Sequence, residues 1–423
     1  MLRAMKYLLA VAALLSLTFP ARAQKVDFEV GAPGVVAVGE AFRIEFTVNA
    51  KPDGFTPPAF GGFDVLAGPT TSEGTSVSIV NGHVSKTVSF TYTYVLQAQN
   101  EGLATISAAS VQVEGKTYST QPLTIEVVSG EAMPGQGGAS AGGADKKADA
   151  EARSGKLAPD DILLRVTVNR NNVYKGQPVR VAFKLYTRVQ LSGIESVKYP
   201  AFNGFWAQEL NVDGYSWQRE TLNGKVYDAR VVKEVLLYPQ QSGTLHIEQS
   251  SMTVVAQIVV QSRSHSQSLF DDFFGGQSVQ EVRKNLSAAP VPVTVRDFPA
   301  GAPASFNGAV GKFQLNGSLD KQTVTANASD TYLLKLSGSG NLPLIQAPKP
   351  ELPASFESYG NGKSTESLSH NASGISGYKQ FEFPFIPRAE GNYSIPPVEF
   401  SYFDPDAAKY VTLTTPPFGV EVL

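Results

Sequence analysis

One pattern of strand and turn signals recurs three times along this chain and takes up nearly all of it. In the first copy Pro58-Ala-Phe60-Gly-Gly-Phe63 is followed by Asn81-Gly82, then YTYVLQAQNEG ending at Gly102, then ATISAASVQV. The second copy reads Pro200-Ala-Phe202-Asn-Gly-Phe205, Asn223-Gly224, KEVLLYPQQSG ending at Gly243, then TLHIEQSSMTV. The third is worn: Pro353-Ala-Ser-Phe356, Ser373-Gly374, FEFPFIPRAEG ending at Gly391, then NYSIPPVEFSY. The anchor glycines are 141 and 148 residues apart (243 − 102 and 391 − 243). A unit this long exceeds any solenoid repeat and is a domain repeat. The chain is therefore a modular array, which argues against an enzyme with one composite site.

Strand chemistry dominates each copy. FRIEFTV in residues 42–48 alternates apolar and polar side chains, the mark of a half-buried strand. VRVAFKLYT and TYLLKLSGS hold the matching places in the other copies. Asn-Gly tolerates positive φ at both central positions of a type I′ turn, so TSVSIV should pair with HVSKTVSFTYTYVL, and GYSWQRETL with KVYDARVVKEVLLY. Each copy closes on a strand: PLTIEVV, PVPVTVRD and PFGVEVL. Seven or so short strands per copy with regular turns predict an all-β chain of tandem immunoglobulin-like antiparallel β-sandwich domains. The Cys pair and central Trp of antibody domains are missing. The expected domains are residues 24–128, residues 161–297 with an aromatic-acidic insertion at 265–285, and residues 306–423. A flexible Gly/Ala-rich linker (129–160) and a Pro-rich connector (298–305) join them.

Residues 1–23 read as a secretory signal peptide. Arg3 and Lys6 precede an apolar run too short to span a bilayer comfortably, and Ala21-Arg22-Ala23 forms a small-residue cleavage site before Gln24. The expected location is outside the cytoplasm. Cys is absent, which removes thiol catalysis, zinc-thiolate sites and iron–sulfur clusters. Each copy is long enough to bury a core without disulfides. A net charge of −3 with both signs scattered gives no nucleic-acid footprint.

No catalytic or metal-binding constellation stands out, and no cofactor is expected. His83, His246, His265 and His370 fall in different places without metal-ligand spacing; His83 follows a turn and His370 lies in a Ser/Asn-rich stretch read as a loop. Asn211-Val-Asp213-Gly and Asp404-Pro-Asp406 resemble fragments of a calcium loop, but lack its later carboxylates and read as turns.

One segment does not fit an ordinary loop. Leu269, Phe270, Asp271, Asp272, Phe273 and Phe274 place three aromatic rings and a leucine around two carboxylates. Either they fold back on their own sandwich, or they form a partner-binding surface, as exposed aromatic clusters do. Phe60, Phe63, Phe202 and Phe205 are second candidates for partner contact. Trp206 and Trp217 flank the 211–214 turn; they read as core or hairpin-face residues, with a carbohydrate platform as the alternative.

The runs VTVNRNNVYKGQPVRVAFKLYTR and YDARVVKEVLLYPQQSGTLHIEQSSM, with LFDDFFGG, resemble the BatD family, the aerotolerance proteins of Bacteroides-type bacteria. The resemblance spans nearly the whole chain after residue 23 and is strongest over residues 161–295. It implies an exported, non-catalytic protein, periplasmic and at the cytoplasmic membrane, whose immunoglobulin-like domains bind other proteins in a cell-envelope complex. The implied partners are von Willebrand A-domain membrane proteins, a MoxR-type ATPase system and other envelope proteins of the same operon, acting in stress and oxygen tolerance. Members usually carry a membrane helix after these domains; none occurs up to Leu423, so membrane anchoring is expected to be absent from the chain as given. The family brings no catalytic residues. A carbohydrate- or peptidoglycan-binding sandwich is the alternative function.

Overall fold

In the computed structural model the three repeats fold by one plan. The structure describes residues 26–80, 83–130, 157–261, 277–359 and 363–423. In the first copy one sheet runs Phe28–Gly31, Ala41–Val48, His83–Ala98, Phe63–Val80. The second copy repeats that order with Ile162–Val168, Val179–Thr187, Lys225–Pro239 and Phe205–Leu210. The third does so with Phe306–Leu319, Asp330–Gly340, Gly374–Pro387 and Phe356–Ser358. A second, smaller sheet in each copy has the closing strand at its centre. That strand lies between a short early strand, to which it is parallel, and the strand opened by the anchor glycine. The three sets are Val35–Ala37, Leu123–Val128, Gly102–Ile106; then Asn172–Tyr174, Val291–Arg296, Gly243–Ile247; then Thr323–Val324, Phe418–Val422, Gly391–Ile395. The fold is all-β, with immunoglobulin-like sandwiches in tandem, and the ladders are antiparallel apart from these short pairs and one more in the third copy.

Local chemistry accounts for the repetition. Ala41–Val48 turns Phe42, Ile44, Phe46 and Val48 into the core and its polar residues outward. The anchor glycines Gly102, Gly243 and Gly391 have φ of 122°, 108° and 143°, a backbone that side-chain-bearing residues rarely adopt. Asn223 and Gly224 have φ of 52° and 74°, as a type I′ turn requires. The strand before this turn begins only at Gln218, so Tyr215 and Trp217 stand outside the ladder. In the third copy the turn differs from expectation. Asn371 pairs with Gly374, leaving Ala372 and Ser373 as the loop, and the Asn371 side-chain oxygen accepts the Ser373 N–H at 2.9 Å. Asn81 and Gly82 lie outside the described residues.

Two expected boundaries move. Residues 277–285, read as part of an insertion, belong to the strand Gln277–Ala288, which pairs with Ser250–Gln261 from Gln261↔Gln277 to Ser250↔Ala288. At the end of the expected linker, residues 157–160 are folded. Ala158 is buried, its N–H donates to Asp161 at 2.7 Å, and Lys284 Nζ donates to the carbonyls of Ala158 and Pro159, each at 2.8 Å. Burial pushes the Lys284 pKa down.

The chain divides into two compact units: residues 1–133 with 219–226, and residues 134–218 with 227–423. In the first unit, Arg219 donates to Glu40 at 2.6 Å, and Val226 packs with Val35, Ala37 and Val128. The Asn223-Gly224 turn thus groups with the first unit, although the strands it joins lie in the sheet of the second copy. The second unit holds the rest of the second copy and all of the third.

Candidate interaction surfaces

Leu269, Phe270, Asp271, Asp272, Phe273 and Phe274 lie outside the described residues, between the paired strands Ser250–Gln261 and Gln277–Ala288. The second set of candidates is placed firmly. Phe63 and Phe202 are 7% and 8% exposed, and Phe60 and Phe205 are half-buried against the same cores. Each turn is closed by a backbone bond, Phe63 N–H to Phe60 O at 3.1 Å and Phe205 N–H to Phe202 O at 3.0 Å, and the third copy repeats it from Phe356 to Pro353 at 2.8 Å. The rings swing inward: Phe63 meets Phe42 edge-on at 5.2 Å, and Phe202 meets Phe183 at 6.3 Å. Fully burying such a ring stabilises a fold by about 1.5–3 kcal/mol, so Phe63 and Phe202 hold the sandwiches together, while Phe60 and Phe205 keep part of their surface exposed.

The two tryptophans part company. Trp206 is half-buried, edge-on to Tyr238 at 5.6 Å. Trp217 is 42% exposed, and Tyr215 nearby is 36% exposed. The Tyr215 hydroxyl donates to Glu234 Oε2 at 2.7 Å, a bond that raises the tyrosine's pKa. Glu234 has a fully buried side chain, and its other oxygen accepts from Arg180 Nε. The buried carboxylate is satisfied from both sides, so this cluster is a built scaffold with one exposed indole beside it in sequence.

Sequence reasoning missed the joint between the second and third copies. Leu236 and Tyr238 face away from the core of the second sandwich and pack with Ile375 of the third, ringed by Trp206, Leu210, Leu344 and Leu368. Tyr174 meets Phe403 edge-on at 4.7 Å, and Phe298 from the connector meets Phe306 at 5.0 Å and Phe403 at 5.5 Å. The Arg296 guanidinium lies 4.0 Å from the Tyr174 ring centre. The connector is therefore glue as well as spacer. The signal was present: VLLYP is continuously apolar, as a strand buried on both faces must be.

His246 is exposed on the strand Gly243–Ile247, and His370 lies on the strand Lys363–Asn371 opposite Ile375, not in a loop. His83 opens a strand, and His265 is outside the described residues. The Asn211 side chain caps the Asp213 N–H at 2.8 Å, and Asp404 caps Asp406 at 2.9 Å. Asp406 also accepts from Lys312 at 2.8 Å, which lowers the carboxyl's pKa. Among the described residues no cluster of His, Asp and Glu is placed to hold a metal, and no helix is long and apolar enough to cross a membrane.

No curated protein matches the sequence. The similar solved structures include an adhesin and a cohesin dyad. The Yersinia pseudotuberculosis adhesin InvE is 14% identical, with a TM-score of 0.14, over 61% of this chain and 58% of the adhesin. The type II cohesin dyad of the adaptor ScaA scaffoldin of Acetivibrio cellulolyticus is 12% identical, with a TM-score of 0.16, over 63% of this chain and 98% of the dyad. The chain thus spans 58% of the adhesin's length. The family description "BatD DUF11 like domain" matches residues 30–127 and 317–422. These are the first and third copies, whereas the sequence resemblance centred on residues 161–295. With the family's domain present twice, the match bears out the resemblance of this chain to the BatD family.

Proposed function

We propose that this protein is a non-catalytic, exported interaction subunit of a cell-envelope complex. Its implied partners are von Willebrand A-domain membrane proteins with a MoxR-type ATPase system, and its role is in stress and oxygen tolerance. The observation that carries the reading is the repetition itself: one BatD domain twice, with a third sandwich of the same topology between. An array of sandwiches multiplies loops and sheet edges, the parts of such domains that bind other chains. The contact surface in this reading is residues 269–274, where three phenylalanines surround Asp271 and Asp272. A photo-crosslinker at residue 273 in native cells, followed by mass spectrometry, tests it. Adducts with a von Willebrand A-domain protein support the reading, and recovery of none from this or other surface positions overturns it.

Exposure of Trp217 favours one second reading, a carbohydrate- or peptidoglycan-binding module. Retention on purified cell wall that disappears in Trp217→Ala would favour it over the first.

A further inference from the structure

The second residue beyond the hairpin turn is a contact residue in both the second and the third copies. Val226 follows the Asn223-Gly224 turn and is fully buried in the first unit, with Val35, Ala37 and Val128. Ile375 holds the same place after the 372–373 loop and is fully buried against Leu236 and Tyr238. The two seats differ in kind. Ile375 is ringed by Trp206, Leu210, Leu344 and Leu368, and the Tyr174–Phe403 and Phe298–Phe403 ring contacts add to that joint. The Val226 seat is built of smaller side chains, two valines and an alanine, and has an ion pair beside it.

Val226 and Tyr227 are neighbours on one strand, so their side chains take opposite faces. Val226 is buried in the first unit. Tyr227 is buried in the second, edge-on to Tyr186 at 6.0 Å, with its hydroxyl donating to the Asp160 carbonyl at 3.0 Å. The turn therefore belongs to one unit by packing and to the other by chain. Arg219 Nη1 donates to Glu40 Oε1 at 2.6 Å, and the two side chains are 38% and 27% exposed, where salt screens them. The other Glu40 oxygen accepts the Ala37 N–H at 2.9 Å, as Gln177 accepts the Tyr174 N–H at 3.0 Å in the second copy. That loop needs an oxygen at position 40 but no charge, so the charge serves Arg219. Residues 131–156, which lead from one unit to the other, contain one large apolar residue, Met133, and by composition bring no core of their own.

We infer that residues 219–226 are a latch: seated, they hold the first unit, and they leave their seat on Val35, Ala37, Val128 and Glu40 as ionic strength rises. One buried valine supplies the apolar part of the hold and a screened ion pair supplies the rest, so the seat is specific without being permanent. The larger apolar seat of Ile375 has no such dependence on charge and stays closed. Opening uncovers Val35 and Ala37 on the small sheet of the first copy, both 4% exposed when the latch is closed. The device stands apart from the interaction reading above, since it concerns one part of this chain held by another.

Single-molecule energy transfer on the full mature chain tests this. The chain has no cysteine, so Glu101→Cys and Gln241→Cys, both at exposed positions, place one dye in each unit. Raising salt from about 0.05 M to about 1 M should convert a high-transfer population into a low-transfer one. Glu40→Gln, which keeps the loop's oxygen, and Arg219→Glu should each enlarge the low-transfer population about threefold or more at low salt and flatten its salt response. Val226→Ser should enlarge it about tenfold. Far-ultraviolet circular dichroism checks that each variant folds. Should Val226→Ser not fold, the two charge variants decide. A single population unmoved by salt and by the variants overturns the latch. So does a mixture of populations that none of the variants shifts.

Discussion

The Tyr238 hydroxyl donates to the carbonyl of Gly340 at 3.4 Å, joining a central strand of the second sandwich to a strand end of the third. Burial of Tyr238 pushes its pKa up to about 12. A group whose pKa rises from 10.0 in the unfolded chain to about 12 on folding holds its proton more tightly in the native state. Its contribution to stability is whole below pH 10 and is lost as pH climbs towards 12. The full loss is about 3 kcal/mol. Tyr332 and Tyr199 are also raised by burial and share the slope, so the readout is a difference. Urea unfolding should show wild type losing more stability than Tyr238→Phe between pH 9 and 12. Equal slopes would mean that Tyr238 is solvated.

The Arg180–Glu234 pair should respond asymmetrically. Arg180 is 36% exposed at its side chain and Glu234 is fully buried. Removing Arg180 strands a carboxylate in the interior, at a cost of about 3–5 kcal/mol. Removing Glu234 frees a guanidinium that reaches water, so Glu234→Gln should cost about 1–2 kcal/mol. Chemical denaturation of Arg180→Met and Glu234→Gln checks the order, and the reverse order would refute the argument.

Glycine substitutions should be graded by space and φ. A Cβ on Gly340, at φ 149°, would sit 2.1 Å from the Val310 carbonyl oxygen, inside the sheet. Gly340→Ala should cost more than about 2 kcal/mol. Gly224→Ala meets nothing within 4 Å but keeps φ 74°, and should cost about 1 kcal/mol. Gly419→Ala meets nothing within 4 Å and carries no left-handed φ, so its melting temperature should match wild type. Scanning calorimetry of the three variants gives the ranking.

Phe273→Ala with Phe274→Ala should weaken partner capture from native cells while leaving the melting temperature within about 1 °C of wild type. A large fall in melting temperature would instead place those rings in a core.

Much of the fold was legible in the residues, and the exceptions have causes. The anchor glycines and the Asn223-Gly224 turn report backbone needs that few other residues meet, so spacing alone located them. The Phe60/Phe63 and Phe202/Phe205 turns were legible as repeats but not as buried. An aromatic beside glycines looks exposed until the i to i+3 backbone bond that points it inward is known. Tyr238 and Leu236 were hidden for another reason. Period-two alternation identifies one buried face, and an outward residue covered by a neighbouring domain breaks that rule without announcing its partner.

In each copy the closing strand is the middle member of its small sheet, flanked on both sides by residues that come earlier in the chain. Until Leu123–Val128, Val291–Arg296 or Phe418–Val422 has emerged, the flanking strands lack the ladder that joins them; in the first copy only the Phe60↔Ile106 bridge holds one of them. A chain delivered from its N-terminus therefore cannot complete any sandwich early. The larger sheet of each copy can pair before then, but its small sheet closes only when the last half-dozen residues arrive. Loss of only the final five residues would leave the third copy unsealed, although nearly all of its hydrophobic sequence would be present.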